Sequence, residues 1–190
     1  MTARWAVLFL LLAVMGCATG GSGASHGAAA DPAARLSLDD YAIGPSDKIR
    51  LIVFGEPELS GEFSVNSGGE ISLPLLGELK VSGKTIEEVR QMVTKGLSSG
   101  YINDARVAAE ITAYRPFYIL GEVATPGEYP YSAGMTVFKA VAAAGGFSYR
   151  AKKSSVHIKR AVGGEEMEFK LTQELAVFPG DVVRIGERFF

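Results

Sequence analysis

The chain has 190 residues, 47% hydrophobic and 21% charged, with a formal net charge of −2 at pH 7. Nineteen Lys and Arg against 21 Asp and Glu give no basic excess for phosphate contacts, which argues against nucleic acid as a partner. The single cysteine rules out an internal disulfide.

Arg4 and the terminal amine precede an apolar run from Trp5 to Met15. As a helix this run reaches about 16 Å, at about 1.5 Å per residue. A hydrocarbon core is about 30 Å thick, so the run is too short to span it and reads as a secretory signal. Val14-Met15-Gly16-Cys17 resembles the lipobox of bacterial lipoproteins. The resemblance implies a signal peptide over residues 1–16, diacylglycerol on the Cys17 thiol and acylation of the new amine. No aspartate follows Cys17, which points to the outer membrane. Removal of residues 1–16 leaves 174 residues with a net charge of −3. Residues 17–37 are then the lipidated cysteine and a tether rich in Ala, Gly and Ser, with His26 as a solvated residue.

Two small modules are expected after the tether, over residues 38–115 and 116–190. Arg50–Phe54, Phe63–Asn66 and Ile71–Val81 read as strands, with a turn at Gly68-Gly69 and a bend at Pro74 and Gly77. Thr85-Ile86-Glu87-Glu88 is a capping box. It opens a helix whose inner face carries Ile86, Val89, Met92, Val93 and Leu97, stopped by Gly96 and Gly100. Val107 to Ala113 alternates as a half-buried strand. The second module opens with a strand over Phe117–Val123 and a turn at Pro126-Gly127. Thr136 caps a short helix with Val137, Phe138 and Val141 inward and Gly145-Gly146 as its end. Strands follow near Val156–Ala161, Met167–Leu171 and Asp181–Ile185, with Gly163-Gly164 as a hairpin turn. Gly83-Lys84-Thr85 and Gly134-Met135-Thr136 open the two helices 51 residues apart, a weak internal repeat. The fold class is therefore α+β, as two tandem modules.

Tyr41-Ala42-Ile43-Gly44-Pro45-Ser46-Asp47-Lys48-Ile49 resembles the opening of the polysaccharide export domain. Gly69–Gly77 and Val81–Thr85 resemble its next blocks. Phe117–Glu128, Ala140–Gly146 and Pro179–Val183 are similar to an SLBB domain, a β-grasp-like module. The chain thus resembles the Wza-type polysaccharide export lipoproteins, in a short form with one domain of each kind. The resemblance implies an oligomeric ring that conducts capsular or extracellular polysaccharide as cargo. It also implies an inner-membrane polysaccharide co-polymerase as partner, and no cofactor. No long amphipathic helix follows Ile185, so a separate outer-membrane β-barrel is expected to supply the pore. The Gly-Pro and Pro-Gly pairs before Asp47 and Asp181 also read locally, as strand-entry turns whose acids bond nearby amides. A periplasmic module that binds polymer or ligand without forming a passage is the second reading.

No catalytic constellation stands out, so the chain does not read as an enzyme. Glu56 with Glu58 and Glu165 with Glu166 read as solvated turns and not as glycosidase pairs. Gly163-Gly164 lacks the following Lys-Ser/Thr of a phosphate loop. Arg150, Lys152, Lys153, Lys159 and Arg160, with His157 among them, form the one basic cluster. It reads first as a solvated face, and more sharply as a lumen or subunit seam that steers an acidic polymer by its field. Tyr114, Tyr118, Tyr129, Tyr131 and Tyr149 read as partial core, with stacking on sugars as the alternative.

Overall fold

The computed structural model describes residues 41–161 and 164–188. The signal, Cys17, the tether and His26 lie outside these residues, as does Gly163 of the expected hairpin turn. What is described is two modules, each with its own hydrophobic core, which is the α+β tandem arrangement.

In the first module, strand β1 (Lys48–Val53) alternates exposed and buried positions and lies between β2 (Gly61–Ser64) and β5 (Val107–Ala113), antiparallel to both. Ile49 sits opposite Phe63 on one side and Ile111 on the other. The segment Ile71–Val81 is not one bent strand. It is a hairpin of β3 (Glu70–Leu73) and β4 (Gly77–Lys80), with Leu73 opposite Gly77. Leu75 at φ 68° and Gly77 at φ 70° reverse the chain there. Helix α1 (Ile86–Ser98) starts at the full capping box: Thr85 Oγ1 accepts from the Glu88 amide, and the Glu88 carboxylate accepts from the Thr85 amide at 2.7 Å. Val89, Val93 and Leu97 are buried beneath it. Gly96 lies inside the helix and does not stop it. A Cβ there would stand 3.0 Å from Leu76 Cδ2, so this glycine is the notch that seats the β3–β4 turn on the helix.

The second module is a mixed five-stranded sheet in the order β7-β6-β10-β8-β9. Its strands are β6 (Phe117–Gly121), β7 (Gly127–Tyr129), β8 (Ser155–Lys159), β9 (Glu166–Lys170) and β10 (Val182–Ile185). Only β6 and β10 run parallel. Helix α2 (Val137–Ala143) is capped by Thr136, whose side chain accepts from the Lys139 amide, and covers one face. Phe117, Ile119, Val156, Ile158 and Val183 are buried under it. Burying side chains of this size contributes about 1.5–3 kcal/mol each. Val137 and Val141 face inward as expected, but Phe138 is 39% exposed and meets Phe147 edge-on. Ala140 takes the inward position with them and is fully buried.

Candidate functional site at the module junction

The sequence placed its functional candidates on the surface, but the densest polar chemistry sits between the modules. Both chain corners that lead into β1 and β10 are turns of the same kind. In the first, the Asp47 amide donates to the Gly44 carbonyl at 3.2 Å, with Pro45 second and Ser46 third at φ 72°. In the other, the Asp181 amide donates to the Phe178 carbonyl at 3.1 Å, with Pro179 second and Gly180 third at φ 81°. Proline presets the second position of such a turn and a left-handed residue completes it. Each aspartate then folds back over its own turn. Asp47 Oδ2 accepts from the Gly44 amide and Asp181 Oδ2 from the Phe178 amide, both at 2.8 Å. The local-amide reading of both acids is therefore what the structure has.

The two carboxylates differ in their further partners. Asp47, fully buried, accepts from the Tyr41 hydroxyl (2.7 Å to Oδ2) and from the Arg115 amide (2.7 Å to Oδ1). Burial, and then the bond to Asp47 and its charge, push the Tyr41 phenol well above its ordinary range. Asp181 pairs with Arg160 at 2.5 Å, and the guanidinium lies 5.5 Å from the Phe169 ring centre and 5.0 Å from that of Phe178. Burial raises the Asp181 carboxyl, opposed chiefly by the charge of Arg160.

Between the corners runs the connection Tyr114–Pro116. The Tyr114 ring meets Tyr41 at 5.1 Å and Tyr131 at 5.4 Å, both edge-on, which links the modules by an aromatic chain. Arg115 donates from Nε to the Pro179 carbonyl and from Nη2 to the Ala42 carbonyl, each at 3.4 Å. Its guanidinium lies 5.4 Å from the centre of the Tyr41 ring. Arg115 was not legible as a site residue, since nothing local marks partners 64 and 73 positions away.

The basic cluster is not one surface. Arg160 is only 9% exposed and pairs with Asp181, because it continues the alternation of β8 on the buried side of Val156 and Ile158. Of the remaining members, Lys152 is half-buried and the others are exposed, and two are matched with acids: Arg150 with Glu187, and Lys152 with Glu168 at 2.9 Å. Lys153 stands 5.7 Å over the Phe147 ring, and Lys159 lies opposite Glu166 and Val182 in the sheet. Arg184 holds Glu166 through two bonds of 2.8 Å, which lowers the Glu166 carboxyl. Glu165 and Glu166 are thus not a free acid pair. Lys152, Ser154, His157, Arg184, Gly186, Glu187 and Arg188 line an open cleft of about 670 Å³ at the end of the second sheet. Among the described residues, no three of His, Cys, Asp and Glu gather as metal ligands would. No described helix is long and apolar enough to cross a membrane. Of the tyrosines, Tyr129 stacks on Phe117 at 6.0 Å and donates to the Thr125 carbonyl, whereas Tyr118 and Tyr149 are exposed.

Residues 36–112 match the family described as polysaccharide biosynthesis/export protein, and residues 116–170 match the SLBB domain. The exopolysaccharide production protein ExoF of Rhizobium meliloti is 37% identical over 130 residues, which is 62% of this chain and 31% of that protein. The EPS I polysaccharide export outer membrane protein EpsA of Ralstonia nicotianae is 32% identical over 146 residues, 70% of this chain and 38% of its own length. The polysialic acid transport protein KpsD of Escherichia coli is 30% identical over 107 residues, 55% of this chain and 19% of that protein. The chain therefore spans less than two fifths of the length of each of these relatives.

Proposed function

Because this chain belongs to the polysaccharide biosynthesis/export protein family, with an export domain followed directly by an SLBB domain, we propose that it is a structural component of a polysaccharide export conduit. The observation that carries this reading is the order and adjacency of the two domains, joined in the structure through residues 114–116. In this reading copies of the chain associate into a ring, capsular or extracellular polysaccharide passes through uncut, and the chain performs no catalysis. The names of EpsA and KpsD support an export role, and that of EpsA supports an outer-membrane location. Lipid on Cys17 holds the protein at the outer membrane, an inner-membrane co-polymerase delivers the polymer, and a separate β-barrel supplies the pore. Two acyl chains suffice for such anchoring, at about 0.8 kcal/mol per buried methylene.

The cations Arg150, Lys152, Lys153 and Lys159 are offered as a polymer-facing or seam surface. The acids that pair with Arg150 and Lys152 are solvent-accessible too, and such ion pairs contribute only about 0–1 kcal/mol each. A passing carboxylate can replace such a partner at little cost.

The test is deletion of the gene and complementation, with extracellular polymer as the readout, alongside the mass of the detergent-extracted protein. Lost polymer and a closed oligomer support the conduit. A persistent monomer, alone and with its partners, favours the binding-module reading. Exchanging Lys152 and Lys153 for Glu reduces export at normal protein levels if that surface guides the polymer; unchanged export excludes it.

A further inference from the structure

We propose that the Arg115 guanidinium is a wedge that fixes the angle between the two modules, seated in a slot that the glycines of both corners leave open. The slot is defined by what a side chain would strike. A Cβ on Gly44 would stand 1.7 Å from Arg115 Nη1, and a Cβ on Gly180 would stand 3.0 Å from its Nε. Gly180 needs its left-handed φ of 81° for the turn, but Gly44 is not among the positive-φ residues. Space for the guanidinium is therefore what Gly44 provides.

The wedge touches both sides at once. Its Nη2 bonds the Ala42 carbonyl on the first module and its Nε the Pro179 carbonyl on the second. Its own amide is fixed by Asp47, so the side chain leaves the backbone from an immobile base. The planar fork of an arginine suits this role, since it donates in several directions without rearranging. The connection between β5 and β6 covers only Tyr114, Arg115 and Pro116, so turning about these residues is the motion the wedge prevents. The two hydrophobic cores share no buried residue. This inference does not depend on the conduit.

The experiment measures amide residual dipolar couplings of the purified full chain. In the wild type, one alignment tensor fits residues 41–113 and 117–188 together. In Arg115→Met and in Gly44→Ala, two tensors are required, with magnitudes differing at least twofold, while amide shifts inside both cores stay in place. The double variant Gly44→Ala/Arg115→Met behaves as Arg115→Met alone, because the added methyl acts only through the guanidinium. A single tensor that still fits Arg115→Met overturns the proposal, and so does a double variant in which the two effects add. If Arg115→Met loses its folded spectrum, Gly44→Ala supplies the reading. Unfolding of both variants would make Arg115 a residue of the common core and end the wedge idea.

Discussion

Replacing Asp47 by Ala tests the first corner. The carboxylate is fully buried and satisfies the Tyr41 hydroxyl, the Gly44 amide and the Arg115 amide. Alanine leaves all of these donors without their acceptor, in a site where Tyr41 and Gly44 are themselves buried. A stranded buried donor costs about 1–3 kcal/mol, so with partial rescue by water the loss is about 4 kcal/mol. For a folded unit of about 150 residues each kcal/mol moves the midpoint by about 2–4 °C, which places the shift at about 8–16 °C. Asp47→Asn keeps the shape but turns an amide NH2 toward one backbone N–H, and loses about 2 kcal/mol. Thermal unfolding of the purified protein followed by near-ultraviolet circular dichroism measures both. A shift below about 3 °C for Asp47→Ala would refute the claim that this carboxylate holds the corner together.

Three further outcomes are expected. Thr85→Ala removes half of the α1 capping box and lowers stability by about 1 kcal/mol, read as a small fall in the unfolding midpoint. Gly121→Ala costs at least about 3 kcal/mol in denaturant unfolding, because φ is 83° and the new Cβ would lie 2.1 Å from the Ile185 carbonyl oxygen. Gly55→Ala, at φ 87° with nothing within 4 Å, costs only about 1 kcal/mol, so equal losses would contradict the clash. Bonds from Arg90 and then Gln91 hold the Glu87 carboxyl down to about 2 from an ordinary 4.5. The folded state therefore binds fewer protons than the unfolded chain between those values. The contribution of Glu87 is present above about pH 4.5 and disappears as the pH falls through 2. The stability gap between wild type and Glu87→Gln should close over that window.

What the sequence made legible was local. The capping box of α1 needs only residues 85 and 88, and both of its bonds are present. The strand-entry prolines and the acids behind them likewise depend on a four-residue segment, and both corners formed as read. Errors arose where a residue's role is set from elsewhere. Gly96 looked like a helix stop, since nothing near it announces that Leu76 must fit against the helix. Leu75 hid a hairpin turn, because a leucine at φ 68° is not a turn residue by type. Arg160 looked like its exposed basic neighbours, but its partner Asp181 lies 21 positions on.

The junction was beyond a linear reading for a topological reason, and the repeat explains it. The helix starts 51 residues apart are equivalent: Gly83 and Gly134 both have positive φ, and Thr85 and Thr136 both cap. Their contacts with the corners are equivalent too, since the Ile43 amide donates to the Lys84 carbonyl at 2.9 Å and the Val177 amide to that of Met135 at 3.0 Å. Yet the corner precedes its helix in the first module and follows it in the second. This shared substructure is in permuted order, which no fixed period reveals. The permutation also has a spatial consequence. Antiparallel pairing sets the end of β5 beside the start of β1, with Ala113 opposite Lys48. Parallel pairing sets the start of β6 beside the start of β10, with Tyr118 opposite Val182. Each corner stands at the start of one of those strands, so the short connection from β5 to β6 must pass between both corners. The long Arg115 side chain therefore reaches the turns of both modules.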